Sequence, residues 1–385
     1  MHDVTLAQAG DNPMYGPNRF KLGVFNINCN GGLTISMAPE RWRADWPDVV
    51  KATVMADEAG FDFILPVAKW HGYGGQSNNL NRSFETLTHG AALGALTKHA
   101  AMFCTVHVPL VSAAFAAKAM ATIDHVTNGR AGLNIVCGWN SDEFDMHGVK
   151  IDAERRYDQG LEWYRIFARA IEGGPKFDFK GEFYDVRGVF TDPGSLQRPR
   201  PTVMAAGFSR KGRDFAAQAA DVLFTLLSEI EQIPGMVQNV RDYASKYDRN
   251  IGLYTQAQIV CRPTFKEAMD YYHYFAEEMA DMEAVEYHRG KSSTSKGSDT
   301  AYSERPSQNK YSRMTGKKFL GAYPSIYPLI GSPDEIVAEM KQMHEAGLSG
   351  LAIVFLNYLD EMPYFNAEVL PRLERAGLRV PLKRA

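Results

Sequence analysis

The segment Asp124-His125-Val126-Thr127-Asn128-Gly129-Arg130-Ala131-Gly132-Leu133-Asn134-Ile135-Val136-Cys137 contains one whole helix-to-strand junction. Ala113–Val126 reads as a helix, and the Asn128-Gly129 pair closes it and turns the chain. Gly132–Cys137 then reads as a strand whose residues are nearly all apolar rather than alternating. A strand of that kind is buried on both faces, as in a parallel sheet covered by helices.

The same junction recurs in both directions. Strands are expected at Phe20–Asn28, Phe61–Lys69, Ala101–Val108, Gly132–Cys137, Thr202–Ala206, Asp221–Leu227, Gly252–Cys261 and Leu351–Leu356. Helices are expected at Trp46–Ala59, Phe84–Leu96, Ala113–Val126, Ala153–Glu172, Arg210–Ala219, Ile230–Lys246, Phe265–His288 and Tyr364–Arg375. Asp45 is placed to cap the first helix and Gly60 to end it. Ser332-Pro333-Asp334-Glu335 is a capping box that opens a further helix ending at Gly347. Phe177–Phe190 has the look of a hairpin. Eight strand–helix units of class α/β point to a single (β/α)8 TIM barrel with insertions. The alternative, an open doubly wound sheet, usually carries a G-x-G-x-x-G fingerprint after its first strand. Here the chain reads Cys29-Asn30-Gly31-Gly32, and there is no P-loop.

Composition agrees with an ordinary globular protein. The 385 residues are 45% hydrophobic and 23% charged, which excludes disorder over most of the chain. The balance of 42 basic against 45 acidic residues lacks the basic surplus of a nucleic-acid binder. Cys29, Cys104, Cys137 and Cys261 form no C-x-x-C pair, so they read as buried reduced thiols of a cytoplasmic protein. Met1–Phe20 has no signal-peptide pattern, and the longest apolar run, Leu351–Leu356, is too short to enter a membrane as a span. The expectation is one domain over residues 1–385, with a leader at 1–19 and a polar insertion at about 289–321. Long polar stretches of that kind are lids or disordered segments.

A barrel of this class builds its site at the C-terminal ends of the strands. That rule selects Ala68, Lys69, Trp70 and His71; Thr105 and His107; Asn134, Cys137 and Trp139, with Asp142 and Glu143 following; and Ala206-Gly207-Phe208-Ser209. His71 and His107 lack H-x-H or H-E-x-x-H spacing, so no metal site is expected. There is no G-x-S-x-G, and Cys137 reads as structural. Ala206–Ser209 ends a strand and opens a helix, where free N–H groups, Gly207 and the Ser209 hydroxyl suit a phosphate. Arg155, Arg156 and Arg210 are candidates for its countercharge. The competing reading is a plain N-cap for Ser209. Trp70, Tyr73, Trp139 and Phe208 are candidate walls for a planar ligand. For Glu143 a helix-cap role is the bland reading.

Several motifs together resemble one family. They are Met120-Ala121-Thr122-Ile123-Asp124, Asn128–Trp139, Glu143-Phe144-Asp145-Met146-His147-Gly148, Arg155-Arg156-Tyr157, Phe179-Lys180-Gly181-Glu182-Phe183-Tyr184 and Ala206–Ser209. From about Phe20 onward the chain resembles the bacterial luciferase-like flavin-dependent monooxygenases, in the branch of the pyrimidine and dimethylsulfone monooxygenases. The resemblance implies reduced FMN supplied by a separate NAD(P)H:flavin reductase, dioxygen as cosubstrate, a small-molecule substrate, and a homodimer or homotetramer. Carried over by position, Ala68 and Lys69 contact the flavin, Asn134 and Glu143 face its ring system, and Arg156, Tyr157 and Ser209 hold its phosphate beside Gly207. Thr105 and Asn134 would place dioxygen, which implies a flavin-N5-peroxide that attacks an electrophilic carbon. The bond cleaved would be C–N, C–S or C–halogen, in a pyrimidine or amide heterocycle or a sulfone-like compound. A non-catalytic flavin-binding barrel, a deazaflavin-dependent oxidoreductase and a metal hydrolase are the alternatives.

Overall fold

The computed structural model describes residues 12–138, 140–150, 152–294, 310–323 and 326–382. Eleven strands are present among them: β1 Lys21–Phe25, β2 Phe63–Leu65, β3 Ala101–His107, β4 Ala131–Val136, β5 Phe177–Lys180, β6 Asp185–Val189, β7 Thr202–Ala206, β8 Val222–Phe224, β9 Gly252–Cys261, β10 Tyr327–Gly331 and β11 Gly350–Val354. The helices are α1 Trp46–Glu58, α2 Thr86–Gly94, α3 Ala113–Val126, α4 Ser141–Met146, α5 Arg156–Ile171, α6 Arg210–Ala219, α7 Ile233–Ala244, α8 Phe265–His273, α9 Met282–Thr294, α10 Lys310–Thr315, α11 Pro333–Glu345, α12 Tyr358–Glu368 and α13 Leu370–Arg375.

Eight of the strands close a parallel barrel in the order β1-β2-β3-β4-β7-β8-β9-β11 and back to β1. They are the eight strands expected from the apolar runs. The interior is packed, and a size rule sets its packing. Phe63 lies 5.9 Å from Phe103 and 5.8 Å from Tyr254, ring to ring. These rings fit because Gly23, Gly132 and Gly350 face them. A Cβ there would sit 2.1 Å from Phe63, 2.7 Å from Phe103 and 2.6 Å from Tyr254. One layer higher, Phe25 meets Phe224 edge to face at 5.4 Å. Apolar filling therefore ends below the mouth, and polar side chains begin above it.

The structure departs from the expectations in five places. β10 was not expected; it pairs with the second half of the long β9, from Tyr327↔Ala257 to Gly331↔Cys261. The expected helix Phe265–His288 is broken: α8 runs into a wide turn at Tyr274–Glu278, and α9 starts at Met282. The break is held by Asp281, whose carboxylate accepts from Ser77 N at 2.6 Å and from Ala284 N at 3.5 Å. The expected helix Tyr364–Arg375 is likewise two helices, α12 and α13, with Pro371 in the first turn of the second. Asp45 occupies the N-cap position of α1 but makes no capping bond, because its carboxylate pairs with Arg82 at 2.8 Å. The short α4 was not expected either. The Ser332 capping box and the β5–β6 hairpin are present. Among the described residues no helix is long and apolar enough to cross a membrane. Residues 1–11 of the leader and 295–309 of the polar insertion lie outside the described residues.

Candidate active site

The C-terminal ends of β3 and β4 are in register at Thr105↔Asn134, so both side chains project to the same side. Asn134 Nδ2 donates to Thr105 Oγ1 at 3.1 Å, and Thr105 Oγ1 donates to the Pro66 carbonyl at 2.5 Å. A hydroxyl has one proton, so the Pro66 bond fixes the direction of the chain. The Thr105 proton is thus directed to Pro66, and its oxygen anchors the Asn134 amide. Asn134 Oδ1 is buried and has no partner. An unsatisfied buried acceptor costs about 1–3 kcal/mol, so this oxygen is suited to a donor brought by a ligand.

On the neighbouring loop, Lys69 Nζ lies 2.6 Å from Glu143 Oε1, with side chains 3% and 2% exposed. Glu143 also accepts from Trp70 N at 3.2 Å. Glu143 is therefore not a helix cap. That role falls to Asn140, which accepts from Asp142 N and starts α4. Ala68 and Lys69 line a cavity of about 110 Å³ together with Thr105 and His107. Burial pushes His107 down to about 4, so its ring is neutral at ordinary pH, and its Nδ1 has no partner.

The second half of the site lies where β7 meets α6. Ser209 caps α6, accepting from Gly212 N at 3.0 Å. Tyr157 is in hydrogen-bond contact with Ser209 and Arg156, and burial raises its pKa. Two glycines keep the cradle open: a Cβ on Gly212 would lie 2.8 Å from the Tyr157 hydroxyl, and one on Gly207 3.0 Å from the Gly212 backbone. Arg156 Nε is buried without a partner. A cation with an unused N–H, beside the positive end of a helix, is an arrangement for an anion. Arg155 pairs with Glu182 on the hairpin. Arg210 is exposed at the start of α6.

A model of the family described as "Luciferase-like monooxygenase" matches residues 20–350. The chain belongs to the luciferase-like monooxygenases. It is 30% identical over 366 residues to an FMNH(2)-dependent dimethylsulfone monooxygenase of Pseudomonas putida, covering 93% of this chain and 96% of the relative. It is 26% identical over 359 residues to the pyrimidine monooxygenase RutA of Acinetobacter baylyi, covering 91% and 94%. The crystal structure of DmoA from Hyphomicrobium sulfonivorans superposes with a TM-score of 0.81 at 18% identity, over 95% of this chain and 91% of that one.

This luciferase-like monooxygenase also has an outer aromatic wall, of which sequence reasoning named only Tyr73. The Tyr73 and Tyr323 hydroxyls are 2.6 Å apart, and the His288 ring stands 4.9 Å from Tyr73 and 4.7 Å from Tyr323. Tyr287 donates to Asp142 at 2.7 Å; burial and that carboxylate push its pKa up to about 12. Of the expected planar-ligand walls, Tyr73 is in this cluster. Trp70 is 36% exposed against His147, and Phe208 faces a different cavity. Trp139 lies outside the described residues. All four cysteines are buried and unpaired. Burial pushes the Cys137 thiol up to about 12, and its sulfur fills the space over Gly160, a packing role.

Proposed function

We propose that the chain is a reduced-FMN-dependent, two-component monooxygenase acting on a small molecule. The observation that supports this most is the pairing of two unsatisfied polar features: the Asn134 Oδ1 acceptor in the barrel mouth and the Arg156 donor in the Gly207–Gly212 cradle. They fit a ligand with a hydrogen-bonding ring at one end and a phosphate at the other. Arg156, Tyr157, Ser209 and the N–H groups that open α6 would hold the phosphate, with Gly207 giving close backbone approach. Ala68, Lys69, Asn134 and Glu143 would hold the ring system. When bound, reduced FMN supplies the electron pair that activates dioxygen, one atom of which enters the substrate.

The protein's part is orientation and exclusion of water. The Thr105–Pro66 bond holds the Asn134 amide in one direction. The Lys69–Glu143 pair gives a wall with little net charge, fixed by the Trp70 backbone. Tyr73, Tyr287 and Tyr323 would give the substrate an aromatic wall, held rigid by the Tyr73–Tyr323 and Tyr287–Asp142 hydrogen bonds. A preorganised polar site of this kind stabilises charge as it develops. The relatives' printed substrates, a sulfone and a pyrimidine, make a heterocycle or sulfone-like compound the substrate class proposed here. The polar stretch at about 289–321, inside a single domain over 1–385, would bear on that choice. A separate NAD(P)H:flavin reductase would supply the reduced cofactor, and the working form would be a cytoplasmic homodimer or homotetramer.

The test is aerobic turnover with NADH, a flavin reductase, FMN and a panel of pyrimidines, sulfones, amides and chlorinated heterocycles under labelled dioxygen. One labelled oxygen atom in a product supports the reading. Binding of a deazaflavin with no affinity for FMN overturns it in favour of the deazaflavin alternative.

A further inference from the structure

We infer that the cleft between α6 and α7 is a second ligand site, specific for a small amphipathic carboxylate. A cavity of about 230 Å³ lies there, several times the roughly 30 Å³ share of a water molecule. Leu223 and Leu253 from β8 and β9, with Met236 and Val240 from α7, give it an apolar floor. Arg213, Ser228 and Gln232 give it a polar rim.

Arg213 carries the argument. It is half-buried, its Nε is buried without a partner, and its guanidinium makes no hydrogen bond or ion pair among the described residues. Several neighbouring charged groups are engaged elsewhere. Arg200 and Arg249 share Asp221, Arg313 takes Glu229, and Asp214 receives Gln218 and Tyr247. None of these contacts engages Arg213. A half-buried guanidinium without a counterion is unfavourable, and a carboxylate matches its fork of donors.

The rest of the rim has the same polarity. Gln232 Oε1 accepts from the backbone N–H groups of Ser228 and Glu229, so the group it has left for a ligand is its amide N–H. Arginine, amide and hydroxyl donors select an anion, and the leucine, valine and methionine floor selects one with a short apolar tail. The site adjoins the phosphate cradle through Phe208 but opens on the other side of α6. Gly212 and Tyr157 meet on the flank of α6 that faces α5, while Arg213 lies on the flank that faces α7. This inference does not depend on the flavin reading.

The experiment titrates the full-length protein with hexanoate by calorimetry, with hexan-1-ol and inorganic phosphate as comparisons. The expected result is saturable hexanoate binding, at least about tenfold tighter than either comparison compound, retained at saturating FMN. Arg213→Gln should weaken it about tenfold or more, and Met236→Trp, which fills the cavity from α7, should abolish it. Absence of saturable hexanoate binding, an unchanged affinity in Arg213→Gln, or displacement of hexanoate by FMN would each overturn the proposal.

Discussion

Thr105 Oγ1 stands between Asn134 and the Pro66 carbonyl, accepting from the first at 3.1 Å and donating to the second at 2.5 Å. The hydroxyl thereby holds the Asn134 amide in a single orientation with its oxygen unpaired. Thr105→Val keeps the shape and removes both bonds. It is expected to lower kcat by about 10- to 100-fold, the usual effect of a misaligned reacting group, with flavin affinity changed less than about threefold. Thr105→Ser should recover most of the loss. Steady-state kinetics beside a flavin titration distinguishes this from a binding defect.

The Lys69–Glu143 pair is buried on both sides, so removing one partner strands the other. Lys69→Met should destabilise the fold by about 3–5 kcal/mol, and Lys69→Met with Glu143→Gln should recover much of it. Urea unfolding of the single and double variants measures this. Equal stability of the single variant and the wild type would show that the pair is not isolated from water.

Gly212 has no room for a side chain, because a Cβ would come within 2.8 Å of the Tyr157 hydroxyl. Gly212→Ala should push Tyr157 out of the cradle and weaken FMN binding by about tenfold. Riboflavin, which has no phosphate, should bind the variant and the wild type alike. Fluorescence titration with both flavins reads the difference.

Glu361 gives the fold a pH dependence. Burial pushes its pKa up from 4.5 to about 7, with Arg262 at 3.2 Å opposing the rise. A carboxyl group whose pKa is higher in the folded state binds its proton more tightly there. Its contribution is complete below about pH 4.5 and is lost as pH rises through 7. The wild type should therefore lose on the order of 3 kcal/mol relative to Glu361→Gln across that window. Urea midpoints of both proteins from pH 4.5 to 8 test it; parallel curves would contradict it.

Much of the barrel was legible because parallel strands buried on both faces have to be apolar throughout, and Leu133, Ile135 and Val136 show that without any partner in view. β10 was missed because Tyr327–Gly331 is a short five-residue strand that follows the polar stretch and contains Pro328 and Gly331, both weak strand signals. The phosphate cradle was legible as a strand end, a glycine and a serine cap in one short run. The Lys69–Glu143 pair was named residue by residue, but its contact joins positions 74 apart and needs the fold. Of the tyrosine wall only Tyr73 was legible: Tyr287 and Tyr323 come from distant segments, and each alone is an ordinary packing residue. The direction of the Thr105 bond was equally hidden, since it depends on a backbone carbonyl rather than on any side chain.

The central claim is that the mouth and the cradle bind one ligand, reduced FMN, with Arg156 taking its phosphate. The most direct measurement is an anaerobic titration of the wild type and Arg156→Gln with reduced FMN and with reduced riboflavin. The account predicts that the wild type prefers FMN by about tenfold or more, and that Arg156→Gln binds the two alike at the riboflavin level. A wild type that binds neither reduced flavin, or an Arg156→Gln variant that keeps the full preference for FMN, would contradict it.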